Sequence, residues 1–150
     1  MSAPILGFQG EYRFLSNFYP SAIRNRTGIW PTAEHLYQAS KSTNPDDWRL
    51  IRVTETPGRA KRAGRQILLR SDWDEIKDWV MLSVVRLKFL QNRRLAQLLV
   101  DTGDAEIVEL NSWGDRYWGE CPRGEGKNRL GEILMQVRKE IGVVPGPFPL

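Results

Sequence analysis

The feature that most constrains this 150-residue chain is the spacing of its apolar residues. After Ser71 they fall at Ile76, Trp79, Val80, Val84, Leu87 and Leu90, the three-and-four rhythm that gives a helix one oily stripe. A second stripe, Leu130, Ile133, Leu134, Val137 and Ile141, runs up to Gly142, a residue type that commonly closes helices. Local punctuation marks shorter helices. Thr32 caps one that reaches Lys41, Asn44 followed by Pro45, Asp46 and Asp47 opens the next, and Thr56-Pro57 opens a third that holds Lys61. Another is expected over 93–100. Strand character is confined to turn-bounded pieces: "GEYRFLSNFYP" and "AIRNRTGIW" near the start, and "AEIVEL" later. The expectation is an α+β fold, a single helix-dominated domain over 1–142 with a small β-sheet, followed by a Pro-rich tail over 143–150.

Several chemistries are excluded or disfavoured by the inventory. One Cys, Cys121, permits no internal disulfide and fits a reducing compartment, so a cytoplasmic protein is expected. That Cys and the lone His35 cannot form the usual zinc sites, and no metal or other cofactor is expected. No apolar run approaches the roughly 20 residues that cross a membrane, and the N-terminus lacks the basic start and apolar core of a secretory signal. Acid–base work falls to Asp, Glu, Lys or Tyr. The net charge of +4 favours an anionic ligand: a phosphorylated metabolite, a nucleotide or nucleic acid.

Four stretches could carry chemistry. "RGEGKNRLG" places Gly126 and Lys127 before the last helix, with Asn128 as its expected N-cap. It is not a Walker loop, because Cys121 stands where the first Gly belongs and Asn128 where Ser or Thr would hold magnesium. Free N–H groups at the helix end and the Lys127 charge would instead attract an anion. Just upstream, "DRYWGE" supplies Asp115 and the aromatic pair Tyr117 and Trp118, a surface on which a base can stack. In "WPTAEHLYQASKS", Glu34, Gln38 and Lys41 share one helix face, though Glu34 could simply complement the helix dipole. "FLSNF" adds Ser16, Asn17 and Phe18 as candidate substrate contacts.

Taken together, "FLSNFYP", "WPTAEHLYQASK", "PGRAKRAGR", "VMLSVVRLKF", "YWGE" and "GEGKNRLGEILMQVR" resemble the NADAR (YbiA-like) family, in order and over nearly the whole chain. The resemblance implies an N-glycosidase. Members of that family hydrolyse the C–N bond of phosphorylated riboflavin-pathway intermediates, and others release ADP-ribose from guanine in nucleic acid. The implied partner is therefore a phosphorylated N-riboside or an ADP-ribosyl substrate, including ADP-ribosylated nucleic acid. Carried over by motif, the catalytic candidates are Glu34, Lys127, Asp115 and Lys88. Ser16, Asn17, Phe18, Trp118, Gly119, Gly126 and Asn128 are the binding candidates. Between Gly119 and Gly126 the chain reads Glu-Cys-Pro-Arg-Gly-Glu, and Pro122 should stiffen a loop expected to be richer in glycine.

Two mechanisms stay open at this level. A carboxylate can stabilise an oxocarbenium-like ribose or activate water. A lysine of lowered pKa can attack the anomeric carbon and open the sugar to a Schiff base. The alternative function is a non-catalytic binder of ADP-ribose or nucleic acid, for which a basic surface suffices.

Overall fold

A computed structural model of the chain describes residues 2–142; the tail over 143–150 lies outside the described residues. The fold is α+β, with six α-helices, one 3₁₀ helix and two small two-stranded sheets among the described residues. By contacts, the chain divides into two compact units: one built from the segments up to Ser16 and from Asn92 onward, the other from Asn17–Gln91.

The second unit begins with an antiparallel hairpin, β2 (Ile23–Asn25) paired with β3 (Gly28–Trp30). Asn25 organises its turn. The Asn25 Oδ1 accepts from the Thr27 N–H at 2.9 Å and from the Trp30 indole N–H at 3.2 Å. Gly28 sits at φ +130°, a conformation that side chains avoid, and the Arg52 guanidinium lies directly above it. The same guanidinium stacks 4.1 Å over the Trp30 ring and donates to the Thr27 carbonyl, so it pins the end of α2 to the hairpin.

Helices α1 (Ala33–Ala39), α2 (Pro45–Arg52) and α3 (Pro57–Ala63) start where the punctuation predicts. Thr32, Asn44 and Thr56 each accept a backbone N–H with the side-chain oxygen, the expected N-cap contact. The long helix α4 (Trp73–Leu90) also forms, but its stripe is displaced. Val80, Met81, Val84, Val85, Lys88 and Phe89 are buried, whereas Trp79 is 65% exposed and Leu90 37%. "VMLSVVRLKFL" is apolar almost all round, so spacing alone could not say which edge faces inward. The displaced stripe carries a lysine into the interior.

In the other unit, β1 (Ile5–Leu6) pairs in parallel with β4 (Ile107–Val108). Helix α5 (Arg93–Asp101) packs on α6 (Arg129–Gly142), which also lies along β4. The predicted α6 stripe is the buried one. At Gly131 the helix touches the strand: a Cβ there would stand 2.1 Å from the Ile107 carbonyl oxygen. "GEYRFL" is a 3₁₀ helix over Gly10–Leu15 rather than a strand. Its buried residues, Phe14 and Leu15, are adjacent, whereas a strand with one buried face would alternate buried and exposed positions.

Candidate active site

Helix α1 is buried along its whole length, on both faces. Its cap fixes the first turn and the histidine together. The Thr32 Oγ1 lies 2.8 Å from the His35 Nδ1, and the His35 Nε2 lies 3.1 Å from the Thr54 carbonyl. Because a carbonyl only accepts, Nε2 carries the proton and Nδ1 accepts from the threonine hydroxyl. Burial lowers the His35 pKa, partly offset by the Thr54 contact. His35 is thereby a structural brace.

Glu34, next to it, is only 7% exposed. A glutamate that merely complements a helix dipole does not need burial. Its backbone N–H donates to the Asn17 carbonyl at 3.0 Å, and its Oε2 accepts from the Gln38 amide at 2.9 Å. Asn17 itself donates to the Met81 sulfur of α4 at 3.3 Å, and its Oδ1 is buried with no hydrogen-bond partner. Helix α1 ends at Ala39, so Lys41 lies in the turn beyond it rather than on the helix face expected for it, 5.4 Å from the centre of the Tyr37 ring and 6.0 Å from that of Trp73. Burial lowers the Lys41 pKa; the Glu34 charge opposes the shift, and the like charges of Arg65 and Lys61 add to it. Cationic charge thus gathers around Lys41, which also feels the Glu34 carboxylate.

Lys88 is the deepest charged group described, at 1% exposure, with its ammonium 5.2 Å from the Phe89 ring centre and 5.9 Å from that of Tyr19. Burial lowers its pKa to about 7. At neutral pH such a lysine is divided between an ammonium that can give a proton and an amine that can attack. Lys88 stands two turns after Met81, so Asn17 and Lys88 address the same face of α4. Phe18, in this unit too, is 40% exposed.

The remaining candidates belong to the other unit, where backbone work occupies most of them. Asp115 accepts the Tyr117 and Trp118 N–H groups on one oxygen, at 3.1 and 2.8 Å. Asn111, which nothing in the local sequence singles out, exchanges hydrogen bonds with the Asp115 backbone at 2.9 and 3.0 Å. Gly119 and Gly126 are required by close approach. A Cβ on Gly119 would meet the Glu109 carbonyl at 2.1 Å, and one on Gly126 would meet the Gly119 carbonyl at 2.3 Å. Ser16 ends the 3₁₀ helix, its N–H donating to the Arg13 carbonyl.

The helix end expected to attract an anion is closed. The N–H groups of Lys127, Asn128, Arg129 and Leu130 donate to the carbonyls of Arg116, Gly119, Tyr117 and Trp118 respectively. These donors are spent on the loop, so any attraction for an anion falls to the Lys127 side chain, whose ammonium lies 5.2 Å from the Tyr117 ring centre. Asn128 does not cap with its side chain either. At φ +49° it turns the chain, its Oδ1 accepts from the Glu109 N–H and its Nδ2 donates to the Ile107 carbonyl, both at 2.9 Å. Asn128→Ala should therefore cost on the order of 3 kcal/mol, from two lost hydrogen bonds at about 1 kcal/mol each and the left-handed backbone penalty. A denaturation midpoint shifted by only the roughly 1 kcal/mol of a lost helix cap would contradict that role.

Comparison with known proteins agrees with this architecture. The NADAR domain matches residues 7–142. Over 148 residues the chain is 43% identical to a riboflavin biosynthesis protein of Vibrio vulnificus, a match that takes in 94% of this chain and only 39% of that longer protein. It is 38% identical over 135 residues to the N-glycosidase YbiA of Escherichia coli (strain K12), covering 89% of this chain and 84% of that one. The NMR structure of E. coli YbiA superposes with a TM-score of 0.84 at 36% identity, over 95% of this chain and 88% of the other.

Proposed function

We propose that this chain, which belongs to the NADAR domain family, is an N-glycosidase that hydrolyses the bond between a phosphorylated ribose and a nitrogenous base without a metal ion. The observation that carries this reading is a glutamate and a lysine withdrawn from water within one unit, Glu34 at 7% and Lys88 at 1% exposure. A pure binder of anions has little use for a buried carboxylate, which repels its ligand. The names of the relatives, N-glycosidase and riboflavin biosynthesis protein, support the same bond type.

In the proposed reaction the anomeric C–N bond breaks and its electron pair leaves with the nitrogen. Glu34 stabilises the positive charge that develops on the ribose and takes a proton from the attacking water. Lys88, its pKa lowered by burial to about 7, returns a proton to the leaving nitrogen. In its neutral form Lys88 equally suits direct attack on the anomeric carbon, the proton it sheds on bonding passing to the leaving nitrogen, with water later releasing the sugar. The buried, unpartnered Asn17 Oδ1 is an acceptor suited to a ribose hydroxyl.

The substrate classes proposed are aminopyrimidine ribosyl phosphates and ADP-ribosylated guanine. The test is to incubate purified protein with each in EDTA and follow the released base by mass spectrometry. Base release from at least one is expected; intact substrates that merely bind, with affinity falling steeply as salt rises, would indicate a binding module instead.

Lys127 is tested on its own. If its charge contacts a phosphate, Lys127→Ala should lose about 1.5–3 kcal/mol of binding, roughly a 10- to 150-fold rise in KM with folding intact. The rise should shrink for a dephosphorylated substrate. An unchanged KM would leave the segment a structural glycine turn.

A further inference from the structure

We propose that Gln38 is a positioning residue for the Glu34 carboxylate, and that Gly64 is the residue whose missing side chain makes room for it. This rests on Glu34 being the catalytic carboxylate. The Gln38 amide nitrogen donates to the Glu34 Oε2 at 2.9 Å, one helical turn along α1, and the side chain is buried at 3% exposure. Its orientation is fixed by chemistry: with the amide reversed, its oxygen would face the carboxylate oxygen, acceptor against acceptor.

The other end of the amide is the telling part. The Gln38 Oε1 is buried and accepts no hydrogen bond. A glutamine kept only to fill space would be a poor choice there, since an apolar side chain of the same length strands no acceptor. What lies against that oxygen is α3. A Cβ built on Gly64 would stand 1.9 Å from the Gln38 Oε1, 2.8 Å from its Cδ and 3.3 Å from its Cβ. Gly64 closes α3 at φ −61° and ψ −18°, ordinary right-handed geometry that any residue adopts. Glycine is therefore needed here for space alone. The end of α3 acts as a backstop: it blocks the amide on its oxygen side, so the N–H side stays on Glu34. The donated N–H holds one carboxylate rotamer, the orientation in which Glu34 meets the ribose.

The experiment uses Gln38→Met, Gln38→Ala, Gly64→Ala and the double variant Gln38→Ala/Gly64→Ala, with kcat, KM and Tm measured on the N-riboside that wild type hydrolyses. Gln38→Met keeps the volume and removes the donor. Its Tm should hold or rise and its KM should stay, while kcat falls roughly 10- to 100-fold, the scale expected for a misplaced catalytic group. Gly64→Ala should lower both kcat and Tm in the wild-type background. With Gln38 already cut back to alanine, the added methyl group finds space, so the double variant should match Gln38→Ala in kcat and Tm. Wild-type kcat in Gln38→Met overturns the proposal, as does a Gly64→Ala penalty that persists undiminished in the double variant. Failure of the underlying reading looks different. In that case Glu34→Gln itself turns over normally, whereas failure of this inference alone leaves Glu34→Gln inactive and Gln38→Met active. The Tm coupling between Gln38 and Gly64 reports on the contact in either case.

Discussion

Glu34→Gln is expected to reduce turnover at least roughly 100-fold, the low end for a lost acid–base group, with KM little changed. The substitution keeps size and polarity, and the new carbonyl oxygen can still accept the 2.9 Å hydrogen bond from Gln38. What disappears is the negative charge. On a side chain buried away from water, that charge is worth more against a developing cation than it would be at the surface. An unchanged Tm with collapsed kcat is the signature sought. A variant that turns over like wild type would reduce Glu34 to the first-turn helix residue that its sequence position equally suggests.

Lys88→Met should abolish most activity, by roughly 10²- to 10⁴-fold, and at the same time stabilise the protein. The second effect follows from burial. With the Lys88 pKa lowered from 10.5 to about 7, the folded chain has released the proton above neutrality, while the unfolded chain keeps it until pH rises past 10.5. The unfolded state therefore binds the additional proton across that window, and wild-type stability climbs with pH at up to about 1.4 kcal/mol per unit. Below pH 7 both states hold the proton and the cost of burying it is at its full, constant value. Methionine carries no such charge. Its stability advantage should be largest below pH 7 and shrink from there towards pH 10.5. Parallel stability curves for the two proteins would mean that Lys88 keeps an ordinary pKa, and retained activity would remove it from the chemistry.

Part of this fold is legible in the sequence and part is not. Local chemistry was legible: Thr32, Asn44-Pro45 and Thr56-Pro57 each start a helix because the capping oxygen and the helix it serves are neighbours in sequence. The α6 stripe was legible because polar residues separate its apolar positions. The α4 stripe was not, since its apolar residues wrap the helix, and the depth of Lys88 went with it. Contacts between segments distant in sequence left no local signal. Neither the approach of Gly64 to Gln38 nor the grip of Asn128 on β4 can be inferred from spacing. "GKN" illustrates the limit from the other side. Its glycines and asparagine resemble an anion cradle, but the N–H groups are consumed by loop carbonyls from 116–119, which only the folded path reveals.

The most direct test counts moles of free base released per mole of protein when an excess of aminopyrimidine ribosyl phosphate or ADP-ribosylated guanine DNA is given to wild type and to Glu34→Gln. Many equivalents from wild type on at least one substrate, and a rate at least roughly 100-fold lower from the variant, is the predicted result. Equal release by both proteins, or no release from either substrate by wild type, would contradict the claim that Glu34 drives N-glycosyl hydrolysis.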